Sequence, residues 1–238
     1  MSGLPMPKVH ISTPDSDVMD MFLSRGWGIS LTPDHCDLLC FTGGADVSPF
    51  LSGERPHPTT HFSALRDNKE IALWKSKPPK FPKIGICRGA QLGNVLCGGT
   101  LWQNVDKHEG RHPAKDLSGL MSPGLIMVSS SHHQMCRLTP EALPLAVAKR
   151  SLFKEGERLT KSYGSFNNWD DPEAFFYDNF NFLGVQFHPE WSGYPMHERC
   201  TDYFFQLLDL CFDFEDDDEH IDTVHQVPRD ERGIPILG

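Results

Sequence analysis

Residues 83–99 read KIGICRGAQLGNVLCGG, and two periodicities meet inside this stretch. Lys83 to Ile86 is a short apolar run of the kind that forms a buried parallel strand. After Arg88, the residues Ala90, Leu92, Val95 and Leu96 suit a helix that Gly98-Gly99 ends. Cys87 sits at the junction. A side chain on such a strand-to-helix turn is pushed out of the sheet, and the small neighbours Gly85 and Gly89 let backbone and a reacting molecule come close. The helix start serves a sulfur nucleophile twice, because its dipole stabilises a thiolate and its free N–H groups can bind an oxyanion. The plainer fate of a cysteine in an apolar strand is a buried core thiol. Gly85, Gly89 and Gln91 at alternate positions around Cys87 favour the reactive reading.

The flanking sequence repeats the alternation. Lys8 to Ile11 begins a β-like run, and Asp15 caps a helix carrying Val18, Met19, Phe22 and Leu23 that Gly26 stops. Asp37 to Thr42 is an apolar strand running into the tight loop Gly43-Gly44, and Ala64 to Lys75 reads as a helix. Strands are expected at Leu125–Ser129, Leu145–Ala148, Ala174–Tyr177 and Phe182–Phe187, the last two joined by a turn at Asp178–Asn181. Met196 to Cys211 closes the fold as a helix burying Tyr203, Phe204, Leu207 and Leu208. The pattern predicts one α/β domain over residues 1–212: a mostly parallel central sheet with helices on both faces and an added antiparallel hairpin.

Cysteine chemistry needs an imidazole to take and return a proton, and the imidazole needs a group to hold its tautomer. Gly184 to Trp191 reads GVQFHPEW. The strand ends at His188, Pro189 forbids its continuation, and Glu190 follows, so the imidazole lies at a strand end, where open α/β sheets carry their sites. Taken alone, His188 reads as an exposed turn histidine and Glu190 as a solvated carboxylate. His132-His133, and His108 with His112 in a polar loop, compete as bases but have no carboxylate at comparable local spacing.

Composition narrows the partners. The net charge of −10 is concentrated in seven acids between Asp213 and Asp222, and without them the rest lies near −3. Residues 213–238 therefore read as an acidic, then Pro/Arg/Gly-containing tail, and neither part offers the basic surface that nucleic acid or a membrane would require. Seven scattered cysteines suggest reduced thiols rather than disulfides or a Cys-x-x-Cys zinc site. The absence of a long apolar run or secretory signature gives a cytoplasmic expectation.

GICRGAQ followed by GVQFHPEW resembles the class I glutamine amidotransferase superfamily, whose Gly-x-Cys-x-Gly-x-Gln elbow and His-Pro-Glu supply a Cys-His-Glu triad. The resemblance implies a flavodoxin-like glutamine amidotransferase fold, with Cys87 as nucleophile, His188 as acid/base and Glu190 as its orienter. FTGGADVSP (41–49), Gly53-Glu54, RDNKE (66–70) and HHQ (132–134) look more specifically like the γ-glutamyl-γ-aminobutyrate hydrolase family. By that likeness Gly44 and Arg88 supply oxyanion amides, and Gly43, Gln91, Ser130, Ser131, His132 and His133 line the glutamyl pocket. Ser129 stands where that family usually has asparagine.

The expected activity is hydrolysis of a γ-glutamyl amine or glutamine through a γ-glutamyl thioester, without metal or organic cofactor. The alternative is an ammonia-supplying glutaminase subunit with a separate synthetase partner; a homo-oligomer is also compatible. A third reading is a metal-binding or regulatory module built on the histidines. It is disfavoured because His108 and His112 would need a helix that Gly110 and Pro113 oppose, and because adjacent His132 and His133 diverge from a strand. Trp169 is a candidate cap for the pocket, and Arg66, Asp67 and Glu70 are expected to pair structurally across helical turns.

Overall fold

The computed structural model describes residues 6–105, 108–121, 124–149, 170–191, 197–212 and 214. The first part of the chain alternates strands Lys8–Ile11 (β1), Gly28–Ile29 (β2), Leu38–Phe41 (β3) and Lys83–Ile86 (β4) with helices Ser16–Ser24 (α1), Ala64–Lys75 (α2) and Arg88–Leu96 (α3). There follow Thr100–Trp102 (β5), Glu109–Asp116 (β6), Leu125–Ser131 (β7), Met135–Arg137 (β8), Leu143–Lys149 (β9), Asp170–Tyr177 (β10), Phe182–Val185 (β11) and His197–Cys211 (α4). Among the described residues a nine-stranded sheet has the order β2-β1-β3-β4-β11-β10-β9-β6-β7, and β5 pairs with β8 as a separate ribbon.

From β2 through β11 every neighbouring pair is parallel. The expected β10–β11 hairpin is present, and the antiparallel part extends beyond it through β9, β6 and β7. Side-chain alternation divides the core. Leu38, Cys40, Ile84, Ile86, Leu183 and Val185 pack with α1 and α4 on one face. Leu39, Phe41 and Phe182 pack with Trp74 of α2 and with Ala90, Leu92 and Val95 of α3 on the other. Both faces are therefore covered, which is why β3, β4 and β11 are buried at every residue.

Local sequence accounts for the helix starts. Asp15 caps α1 by accepting from the amides of Asp17 and Val18, and Ser63 caps α2 through Arg66 N. The polar loop expected around His108 and His112 is instead strand β6, held between β7 and β9. Its sequence, EGRHPAKD, shows no apolar alternation because mainly Ala114 and Asp116 are buried. Pairing partners, not its own pattern, make it a strand. Phe212 and Phe214 pack beyond α4, Phe214 edge-on against Trp27 at 4.9 Å between centroids. Trp169 and the acidic run after Phe214 lie outside the described residues.

Candidate active site

The Cys87 backbone adopts φ 50°, ψ −105°, a conformation that a non-glycine residue rarely takes. The tightness of the turn enforces it. A Cβ on Gly85 would come within 2.3 Å of the Gly89 carbonyl carbon, and one on Gly89 within 2.0 Å of the Phe41 carbonyl oxygen. Only glycine lets β4, α3 and β3 approach this closely, so the two glycines hold Cys87 out at the sheet's carboxyl end. Arg88 is the first residue of α3, where an amide has no acceptor within the helix.

His188 reaches the same place from β11. Its Nδ1 lies 2.6 Å from Glu190 Oε1, and its ring is close enough to the Cys87 side chain for the sulfur to raise the imidazole pKa. With Nδ1 committed to the carboxylate, Nε2 is the nitrogen left for the sulfur. Trp191 stacks flat on the imidazole, with centroids 4.0 Å apart and planes within 4°. Sequence reasoning assigned Trp191 no role; its signal was its place directly after His-Pro-Glu. Cys87, His188 and Glu190 are all buried. The Gly43 loop touches both partners, since a Cβ there would lie 2.9 Å from His188 Cε1 and 3.8 Å from Cys87 Cβ.

Burial opposes a charge on His188, but its close interaction with Cys87 and Glu190 raises its pKa from 6.5 to about 10. The folded value lies above the unfolded one, so the stability His188 contributes is complete below pH ~6.5 and is lost as the pH rises through about 10. Denaturation measured across this range should show the native chain weakening on the alkaline side and His188→Gln weakening less. Parallel curves for the two would remove this charge pairing from the account.

An ion network supports the loop and the elbow together. Arg66 donates to Gly43 O at 2.9 Å and to Thr42 O at 3.1 Å, and its Nε pairs with Glu70 at 3.1 Å. Gly44 has φ 139°, and a Cβ there would sit 2.2 Å from the Arg66 guanidinium, so the loop must pass over this arginine as glycine. Arg88, 1% exposed, is bridged to both Glu70 and Asp67. Glu70 also accepts from Ser12 and Thr13. The expected pairing of Arg66 with Glu70 along α2 is present, and it extends to Arg88 and to the loop. The RDNKE motif was the signal for this larger role.

The remaining predicted residues divide. Gln91 is buried and donates to Gln134 O at 2.9 Å, tying α3 to the loop after β7. Ser130 Oγ is buried without a hydrogen-bond partner, and Ser131 is exposed. His132 turns inward, its Nδ1 2.9 Å from Gln134 O, whereas His133 turns toward Asp46 at 3.1 Å and Gln103 O at 3.1 Å. The two rings diverge, although both residues lie in the loop between β7 and β8 and not on a strand.

Residues 29–133 match the family model described as peptidase C26. The chain is 32% identical over 198 residues to protein NtpR of Enterococcus hirae, covering 73% of this chain and 75% of that protein. It is 31% identical over 169 residues to the glutamine amidotransferase-like protein YvdE of Lactococcus lactis subsp. lactis, covering 68% and 69% respectively. Across four curated relatives at 31–37% identity it spans 52–75% of their length. A glutamine amidotransferase of Thermotoga maritima superposes with a TM-score of 0.54 at 14% identity over 87% of this chain and 85% of that one, a likeness of fold. With the elbow at Cys87, the His-Pro-Glu strand end and these relatives, the chain belongs to the peptidase C26, class I glutamine amidotransferase-like family.

Proposed function

We propose that the chain hydrolyses the γ-glutamyl amide bond of a γ-glutamyl amine or of glutamine, with Cys87 as nucleophile. The observation that carries this reading is a His188 imidazole held by Glu190 at 2.6 Å and brought, beside the Gly43 loop, to the sulfur of a strained strand-to-helix turn at Cys87. The Cys87 thiolate attacks the γ-carbonyl, and the oxyanion is met by the amides of Gly44 and Arg88. Collapse breaks the C–N bond, and the His188 imidazolium gives its proton to the departing amine. The same imidazole then takes a proton from water, which attacks the thioester to release glutamate and restore the Cys87 thiolate beside the His188 imidazolium. Glu190 holds the ring throughout. Gly43, Gln91 and the segment Ser130–His133 are proposed to line the glutamyl pocket.

A second reading is a glutaminase that waits for a synthetase partner, and one surface favours it. Phe50, 65% exposed, packs edge-on against Phe62, and Leu65, three residues further along the chain from Phe62, is 67% exposed. Exposed apolar patches of this kind mark sites of association. The purified chain alone, offered glutamine and a panel of γ-glutamyl amines, separates the readings. Steady glutamate release from a γ-glutamyl amine supports the free-standing hydrolase. Silence toward all amines, with at most weak glutaminase activity, contradicts the free-standing hydrolase and supports the partnered enzyme.

A further inference from the structure

A second cluster of reactive groups lies apart from Cys87, His188 and Glu190. His112 is on β6, His108 directly precedes that strand, and Glu173 is on β10. Facing ligand atoms of the three residues lie within 4.8 Å of one another. The sequence objection, that His108 and His112 would need a helix, does not hold: Gly110 between them has φ 90°, and this kink brings the two rings to 5.0 Å between centroids.

Glu173 is aimed at them by a β-bulge. Pro172 pairs with Val147 and Ala174 with Ala146, so Glu173 is the extra residue of β10. Bulges of this kind redirect a side chain. The strand between, β9, carries only the Ala148 methyl where it pairs with both Ala114 and Asp171, which leaves room for side chains to reach across. Glu173 Oε1 lies 2.8 Å from His112 Nε2 and 3.3 Å from His108 Nδ1. Its other oxygen, Oε2, has no hydrogen-bond partner, although Glu173 is 0% exposed. A buried carboxylate oxygen left unpaired is costly and calls for a ligand.

The surroundings hold the cluster as the outer groups of a metal site do. His108 Nε2 is bound by Asp171 Oδ2 at 2.8 Å, which orients the ring so that Nδ1 faces Glu173. His132 stacks on His108, centroids 4.8 Å apart, and fixes its plane. Tetrahedral bonds of about 2.0–2.1 Å separate two donors by roughly 3.3 Å, close to the spacings already present. His112 is the partly exposed member and gives an ion its way in.

We propose that His108, His112 and Glu173 bind one divalent first-row transition ion of the zinc type, with Asp171 orienting His108. Two imidazoles and a carboxylate suit zinc, cobalt, iron or nickel rather than calcium or magnesium. Entry of the ion displaces the proton shared between His112 Nε2 and Glu173, which leaves to solvent, so uptake releases acid. Gln186, two residues before His188, donates its amide to Glu173 O at 2.8 Å. The site therefore neighbours the proposed active site without sharing a residue with its triad, and it does not depend on that reading.

The test uses the full chain, stripped with chelator under reducing conditions and titrated with Zn²⁺ and Co²⁺. The expected result is uptake of a single ion per chain with proton release. Bound Co²⁺ should show weak d–d bands and no sulfur-to-metal charge transfer, and both should persist in Cys87→Ser. Glu173→Gln and His112→Gln should lose the ion, and Asp171→Asn should bind about 10- to 100-fold more weakly. Glu173 is buried, so should that variant fail to fold, partly exposed His112 decides. Thiolate charge-transfer bands, uptake undiminished in a folded His112→Gln, or no stoichiometric ion would overturn the proposal.

Discussion

Cys87→Ala is expected to lower kcat for γ-glutamyl amide hydrolysis by roughly 10,000-fold or more while the fold survives. The size follows because the other buried thiols of the described core are poor substitutes. Cys40 and Cys136 are buried in the core, where desolvation pushes their thiols up. The fold survives because alanine keeps the Cβ and removes only the sulfur. The backbone gives a second arm. A non-glycine residue at φ 50°, ψ −105° stores about 1–3 kcal/mol of strain. Cys87→Gly should therefore be at least as stable as Cys87→Ala by chemical denaturation, and equally inactive. A residual rate within tenfold of the native chain would sink the thioester scheme.

The largest stability loss is expected at Glu70. This carboxylate, 2% exposed, binds the guanidinium of Arg88, itself 1% exposed, and accepts from Arg66, Ser12 and Thr13. Glu70→Ala leaves a buried cation with Asp67 as its remaining carboxylate partner, and breaking a buried pair in this way costs about 3–5 kcal/mol. Arg66→Ala, at a half-buried site, should cost about 1 kcal/mol or less. Both should slow turnover, because Arg66 anchors the Gly43 carbonyl and Arg88 begins the helix that follows Cys87. Urea denaturation measures the first effect. A Glu70→Ala loss below that of Arg66→Ala would mean that the network does not hold the elbow in place.

Legibility in the sequence followed the source of each element's stability. β3, β4 and β11 are buried on both faces, so their apolar runs were written into the chain and their positions could be read within a residue or two. α2 was read with the bounds it has, Ala64–Lys75, while its Ser63 cap emerged only in the structure. β6 was not, because neighbours on either side supply its pairing while most of its own side chains face solvent. The site shows the same division. Cys87, His188 and Glu190 lie in two short motifs whose local geometry carries them to the strand ends. Glu173, His108 and His112 meet only because a bulge and a glycine kink bring them together across β9. Long-range registers of that kind leave no periodic trace, which is why the histidines read as loop residues.

The proposed reaction passes through a covalent bond between substrate and one particular sulfur, that of Cys87. Rapid acid quench of the native chain during turnover of a γ-glutamyl amide, followed by intact and peptide mass spectrometry, tests it most directly. The predicted result is a chain heavier by one glutamyl residue, with the added mass on the peptide containing Cys87, labile to hydroxylamine and absent from Cys87→Ala. Turnover with an unmodified Cys87, or a glutamyl adduct on another residue, would contradict it.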